Sequence, residues 1–445
     1  MAVQGSIGAR LDRLPVCRFH RRMLALIGSG LLLDSIDIYL QGPLLAYFLS
    51  IDFSNLKHNA DFLSATFLGL VAGTLLSGRL TDRMGRRSMF QVNLLLFGIC
   101  SIVAGFASSM QDLIFIRFFI GVGLGGEVVV TYGTLAEFVP PHARGIWQGK
   151  LAFLSNLGIP LSALLCAAFL PSVGWRPLLV SVGLIALGAW AFQRRMPESP
   201  RWYEAVGRQQ KAEATMTCIE HEVESCTNLP LPPVPSLELT QPICRLGVRE
   251  LFGNKLLHRT LLATFLMIAV NVNVYTFTAW LPTILLERTN AMNRSLLITW
   301  IIQLGALPGA LIGSWASERF GRKESIVAVS LAAAALTFIF GSASSVVALA
   351  AEGFLMSVLA YGLVAITFAI YIPELFPTSV RMTGSSFANA CGRGANIVVP
   401  QLVAWMLPHG GSVTVFIFLS VLLVTQALVM WIFGLDTRFR SLEQI

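Results

Sequence analysis

Charge is what this 445-residue sequence has least of. Only 13% of its residues are Asp, Glu, Lys or Arg, where a soluble domain carries about a quarter. With 55% hydrophobic residues, an ordinary soluble chain is excluded. Nor is there a Walker A or other nucleotide-binding fingerprint, which argues against an ATP-driven pump. The six histidines lie mainly outside the apolar runs, and no Ser/His/Asp arrangement is legible; no enzyme is expected. Seven cysteines, at 17, 100, 166, 218, 226, 244 and 391, form no CxxC and no disulfide framework. Cys218, His221, Cys226 and Cys244 are the one cluster of metal-binding side chains, but their spacing matches no common zinc module. Free thiols, no metal and no cofactor beyond a proton are expected.

Long apolar runs fill most of the chain. A run of about 20 residues spans a hydrocarbon core about 30 Å thick. Candidate spans are 23–48, 61–80, 88–108, 112–138, 147–170 and 176–194, then 260–286, 295–316, 325–343, 346–372, 383–407 and 412–434. The first run is too long for a signal peptide and lacks a small-residue cleavage site. The net charge of +8 does not point to nucleic acid, because of where it lies. Only Lys57, Arg176, Arg288 and Arg294 fall in odd-numbered loops. The positive-inside rule then predicts that both termini and the even loops are cytoplasmic, in an inner or plasma membrane. Expected partners are a small molecule and membrane lipid; a monomer is expected.

Between the sixth and seventh runs lies a polar segment, from about Arg195 to Arg259. Its first part, 208–224, reads as a polar helix, and the Pro-rich 229–242 as a connector. The units expected are therefore 1–195, a central loop 196–258, and 259–445. The two apolar units repeat. "GRLTDRMGRRSMF" (78–90) after the second run matches "GSWASERFGRKESI" (313–326) after the eighth. "EFVPPHARG" (137–145) matches "ELFPTSVRMTG" (374–384). A duplicated six-span unit is a signature of secondary transporters.

"GRLTDRMGRR" resembles the loop signature of the major facilitator superfamily. "RFFIGVGLGG", "LAEFVPPHARG" and "PESPRW" (197–202) resemble its sugar-porter-like and metabolite:proton symporter branches. "DSIDIYLQGP" and "GRGANIVVP" look closest to metabolite:proton and aromatic-acid:proton symporters. The resemblance covers about residues 20–435 and implies twelve transmembrane helices in two six-helix pseudo-symmetric bundles. It also implies symport of a small organic solute, often a carboxylate, with protons. Span seven, "NVNVYTFTAWLP", lacks the paired glutamines of sugar porters, and the tail lacks their PET-type motif. A neutral sugar or polyol symporter, or an efflux antiporter, remain the alternatives. A non-transporting sensor is disfavoured by the short central loop.

Within the first span, Gly30, Asp34, Asp37 and Gln41 are spaced four, three and four, which stacks them on one helix face. A charge at mid-membrane costs at least about 2.5–3.5 kcal/mol. Two acids there demand a partner, water or protons, and a pair so placed can load and unload a proton. A static pair holding helices together is the plainer reading. In the resembling families the aspartate at Asp37 is the proton-coupling position and an arginine at Arg117 its partner; otherwise Arg117 snorkels to the interface. Gly121, Gly123 and Gly125 let span four pack closely. Glu127 is a further acid there, bearing a second proton or pairing with Arg393.

Asn389, Arg393, Asn396 and Pro400 repeat the spacing in span eleven. A guanidinium suits bidentate carboxylate recognition, so Arg393 is expected to hold a substrate carboxylate; the alternative is an internal pair with Asp34, Glu127 or Glu352. Asn271 and Tyr275 in span seven, with Gln41 and Asn156, are candidate substrate contacts. In the loop motifs, Asp82 is expected to pair with Arg144, and Glu318 with Arg381. Arg83, Arg86 and Glu137, with their counterparts Arg322 and Glu374, extend the two networks. Such pairs would hold an inner gate shut and break as it opens.

Overall fold

The computed structural model describes residues 7–227, 230–234, 248–253, 256–289, 291–340, 345–377 and 380–435. Among these the chain is helical throughout. Eleven helices are long and apolar enough to cross a membrane. The first half comprises α1 (Ile7–Asp12), α2 (Arg18–Ser50), α3 (Leu56–Met84), α4 (Arg86–Ala104), α5 (Met110–Phe138), α6 (Arg144–Phe169) and α7 (Trp175–Gln193). Two polar-segment helices follow, α8 (Pro200–Ala205) and α9 (Gln209–Thr227). The second half has α10 (Leu257–Thr289), α11 (Met292–Gln303), α12 (Ala306–Phe320), α13 (Arg322–Phe340), α14 (Val346–Val364), α15 (Ile372–Glu374) and α16 (Arg381–Phe433).

The starts of these helices follow from local chemistry. Asn55 accepts from the His58 amide at 2.8 Å and caps α3. Ser109 and Asp112 form a reciprocal capping box at the head of α5, which satisfies two otherwise orphaned N–H groups. Expected span eight runs as α11 and α12, which a tighter turn at Leu304 and Gly305, still in right-handed helical geometry, joins into one span, Met292–Phe320. Expected spans eleven and twelve run together as α16, and the turn between them is a kink at Gly411, whose φ of 66° is a conformation glycine tolerates. This accounts for eleven long helices where twelve spans were read. Leu75, Phe106, Phe115, Leu311 and Trp405 stay exposed on outer faces, as expected where lipid is the solvent.

Small residues set how closely helices approach. Helix α5 lies on α3 so tightly that a Cβ on Gly125 would sit 2.1 Å from the Leu70 carbonyl, and one on Gly73 2.0 Å from that of Val122. The second half repeats the seam: a Cβ on Gly309 would meet the Val358 carbonyl at 2.4 Å. Between the halves, α10 packs on α2, α16 on α3 and α11 on α6.

Apolar packing is uneven along the bundle. At the end poor in Lys and Arg, one core joins both halves, with Leu44, Phe48, Phe62 and Trp175 against Phe277, Trp280, Ile302 and Phe416. At the basic end the cores are largely separate: one, around Leu266, Tyr371 and Phe376, takes in Ile159 of α6 and touches Tyr39 of α2, and the other, around Phe19, Phe138 and Trp147, holds no residue of the second half.

Candidate functional site

Helix α2 carries both aspartates, and the structure gives them different surroundings. Arg117 Nη1 donates to Asp37 Oδ2 at 2.6 Å, and both side chains are fully buried. The guanidinium also lies over the Phe62 ring, 4.8 Å from its centroid. A charge pair with a hydrogen bond and a ring face replaces lost water, and neither member stays buried cheaply without the other. Arg117 is among the largest side chains with under 2% exposure, so it does not snorkel to an interface.

Asp34, one turn nearer the basic end, is buried and neither carboxylate oxygen has a hydrogen-bond partner. Glu127, Asp37 and Arg393 all act on it electrostatically. Glu127 is itself buried with two unpartnered oxygens and sits against Gly30, with Gln193 beside it. Ser35 and Ser155 join α2 to α6 at 2.8 Å, and Asn156 is half-buried next to them.

Arg393 on α16 is half-buried and has no ion-pair partner among the described residues; the pairs expected as alternatives, with Asp34, Glu127 or Glu352, are not made. Its charge reaches Asp34, Tyr39 and Tyr132, all from the first half, so it faces across the interface. Of its neighbours, Asn389 is half-buried, while Asn396 is buried and leans back to the Gly392 carbonyl at 3.5 Å. Asn271 donates to the Met267 carbonyl at 2.8 Å and packs on Gly392, so that amide is tied to its own helix. Asn273 Nδ2 and Gln41 Oε1 are buried and unpartnered.

Aromatic rings close this region. Tyr39 stacks on Tyr275 with centroids 6.2 Å apart and planes at 14°. Phe67 meets Tyr275 edge-on at 5.0 Å, and Tyr361 meets Tyr39 at 6.4 Å. Tyr39 and Tyr361 were not among the residues expected from the sequence. Their signal was available: Tyr39 lies two residues beyond Asp37, but aromatic rings in apolar spans are too common to single out.

At the basic end the motifs form networks within each half. Arg86 pairs with Glu137 at 3.0 Å and with Asp82 at 3.5 Å. Glu198 accepts from the amides of Arg86 and Arg87 at 2.8 and 3.2 Å, a carboxylate on the positive end of a helix. Gly85 has a φ of 96°, and a Cβ there would stand 2.3 Å from Glu198. Ser199 Oγ also donates to Glu137. In the second half Arg322 pairs with Glu374 at 3.1 Å, and Gly321 repeats the positive φ at 102°.

Some expected pairs are replaced. Asp82 does not reach Arg144: its side chain is 79% exposed, and Arg144 turns to Asp12 at 3.1 Å. Arg201 takes the same carboxylate at 2.6 Å. Helix α1 lies between these groups and α9, which sequence spacing alone does not reveal. Arg83 is exposed and makes none of these ion pairs. Glu318 is exposed at the end of α12, and Arg381 donates to the Phe376 carbonyl at 3.4 Å. Cys218 and Cys226 are exposed on α9; Cys244, with the Pro-rich connector and the tail beyond 435, lies outside the described residues.

Comparison with known proteins bears on this arrangement. A family profile described as "Sugar (and other) transporter" matches residues 52–445. The inner membrane metabolite transport protein YdjE of Escherichia coli K12 is 37% identical over 442 residues, 99% of this chain and 98% of that protein. The niacin transporter NiaP of Acinetobacter baylyi is 27% identical over 441 residues, 98% of this chain and 99% of that one. The crystal structure of a D-xylose–proton symporter superposes with a TM-score of 0.72 at 19% identity, over 96% of this chain and 100% of that chain.

Proposed function

The chain belongs to the sugar (and other) transporter family of the major facilitator superfamily, and on that premise we propose that it is a proton-coupled symporter of a small organic anion. As a member, it is a multi-pass membrane transporter. The observation that carries the anion reading is Arg393: a cation at the interface between the halves, half-buried, with no ion-pair partner among the described residues. A substrate carboxylate supplies that partner and a bidentate geometry. The stacked tyrosines alongside suit a flat ring. NiaP, by its name a carrier of niacin, a pyridine carboxylic acid, favours a ring carboxylate.

In this reading the basic end is cytoplasmic, by the positive-inside rule, and the structure corresponds to an inward-facing state. The joined core closes the outer side, and the largely separate cores, bridged at Ile159 and Tyr39, leave the inner side to part. The two bundles rock about the shared core while Arg393, Tyr275 and Asn389 hold the anion. Asp37 takes a proton on the outer side, which releases Arg117. On the inner side Arg117 re-forms the 2.6 Å pair and the proton leaves. The membrane potential adds about 2.3 kcal/mol per charge per 100 mV where charge moves.

The test is accumulation by the purified protein in proteoliposomes under an imposed pH gradient. Labelled nicotinate and benzoate should accumulate uphill in the wild type and only equilibrate with Asp37→Asn. Uphill uptake by Asp37→Asn contradicts the coupling role. A neutral sugar is the second reading, favoured by the family description; uptake of xylose in place of either acid would establish it.

A further inference from the structure

Two buried acids remain that the Asp37–Arg117 pair does not serve. Asp34 is 1% exposed and Glu127 0% exposed, and among the described residues none of their four carboxylate oxygens has a hydrogen bond of good geometry, although the Gln193 amide lies beside Glu127. The place for Glu127 is built by a missing side chain. A Cβ on Gly30 would stand 1.8 Å from Glu127 Oε1 and 2.8 Å from Gln193 Nε2. Gly30 is one turn before Asp34 on the same face of α2, so both acids share one side of that helix. Gln193, 1% exposed, adds a further oxygen: its amide donates to the Leu26 carbonyl at 2.9 Å, while its Oε1 has no partner.

Five buried acceptor oxygens therefore meet around α2, α5 and α7. Other charged and titratable groups do not satisfy them. On α2 itself, Asp37 adds a further negative charge, but it is taken up by Arg117 of α5. Tyr39 of α2 turns to the tyrosines of α10 and α14. Helix α6 brings Ser155, which is bonded to Ser35. Arg393 of α16 acts on Asp34 only through space and forms no pair with it. Gln193 brings only a neutral amide to Glu127, and no Lys or Arg among the described residues pairs with either acid, so the two do not both stay ionised. A proton on either carboxyl removes the repulsion between the two acids and turns an acceptor into a donor.

We propose that Asp34 and Glu127 form a second proton site, distinct from the Asp37–Arg117 pair. This rests on the symport reading above and deepens it. When substrate leaves, Arg393 loses its carboxylate and its charge falls on Asp34. An O–H bond of the acid pair then breaks, its electron pair stays on the carboxylate, and the proton passes to water on the basic side. Reloading from the opposite side re-forms the O–H bond. Together with Asp37, the carrier then moves two protons for each anion, and transport of a monocarboxylate carries net positive charge inward.

The test is infrared spectroscopy of the purified full-length protein, following the carboxylic-acid C=O stretch and its shift in heavy water. At neutral pH the wild type should show this band. Glu127→Gln and Asp34→Asn should each lose or diminish it, and Asp37→Asn should keep it. Arg393→Ala, which removes a cation acting on the pair, should let the band survive into more alkaline solution than in the wild type. If Glu127→Gln does not fold, Asp34→Asn and the Arg393→Ala titration still decide. No band in the wild type, a band unchanged by both acid variants, or stabilisation by sodium in its place would each overturn the proposal. Failure of the symport reading looks different: the band is present and mutable, and no acid accumulates under a pH gradient.

Discussion

Arg117 and Asp37 meet at 2.6 Å with both side chains fully buried, so each offsets the charge that the other has taken out of water. Removing one member leaves a buried unpaired charge, at a cost of about 3–5 kcal/mol, while replacing both by apolar residues is often neutral. Arg117→Ala should therefore destabilise the protein by about 3–5 kcal/mol in detergent unfolding. Arg117→Met with Asp37→Leu should recover most of that loss. Additive losses would contradict the pairing.

The closure of the Lys/Arg-poor end depends on contacts that admit no bulk. Gly42 of α2 faces α10, and a Cβ there would stand 2.7 Å from the Thr278 carbonyl and 2.9 Å from that of Ala279. Nearby, Gln401 donates to Asp61 across the two halves at 2.7 Å. Overpacking costs about 1–3 kcal/mol, a shift of about 5–150-fold between two states. Cysteines introduced as Asp61→Cys and Gln401→Cys should cross-link readily, and adding Gly42→Leu should lower the yield. An unchanged yield would mean that this end closes without that contact.

The N-terminal helix is fastened to α9 by charge. Arg10 meets Glu213 and Glu220 at 2.5 Å each, and Arg13 meets Glu220 at 2.6 Å. Burial alone would push the Glu220 carboxyl up, but hydrogen bonds and charge from Arg10 and Arg13 outweigh it and hold it below its ordinary value. A depressed carboxyl stabilises above the unfolded value, near about 4.3, and loses that contribution as pH falls through the folded value. Protection of the α1 amides, the observed exchange rate set against the intrinsic rate at each pH, should be high at neutral pH and fall below about pH 4. In Glu220→Gln it should already be low at neutral pH. Protection independent of both would show that the apolar contacts of Ile7 and Leu11 with α9 suffice.

Much of this architecture is legible in residue pattern, because lipid imposes long apolar helices and loops record topology in Lys and Arg. The duplicated Gly85/Gly321 and Arg86/Arg322 positions occupy equivalent turns in the two halves. Legibility stops where partners are far apart in sequence. Nothing near Arg144 announces Asp12, 132 residues away, so the pattern pointed to Asp82 instead. Gly30 reads as part of a polar face; that it makes room for Glu127 requires knowing how α5 lies on α2. The break read between spans eleven and twelve is present, and it is tighter than Pro408, Gly410 and Gly411 suggest: Gly411 alone, at positive φ, leaves helical geometry between the two spans.

Receipt of the substrate carboxylate by Arg393 is the step on which the proposed transport depends. It is tested most directly by ligand-induced thermal stabilisation of the purified protein. Nicotinate and benzoate are set against their neutral amides and xylose, with wild type and Arg393→Ala side by side. Ligand at 100 times its dissociation constant adds about 2.7 kcal/mol. The expected result is that an acid stabilises the wild type, its amide does not, and Arg393→Ala loses the effect while still folding. Stabilisation by the amides or by xylose, or by an acid equally in Arg393→Ala, would contradict it.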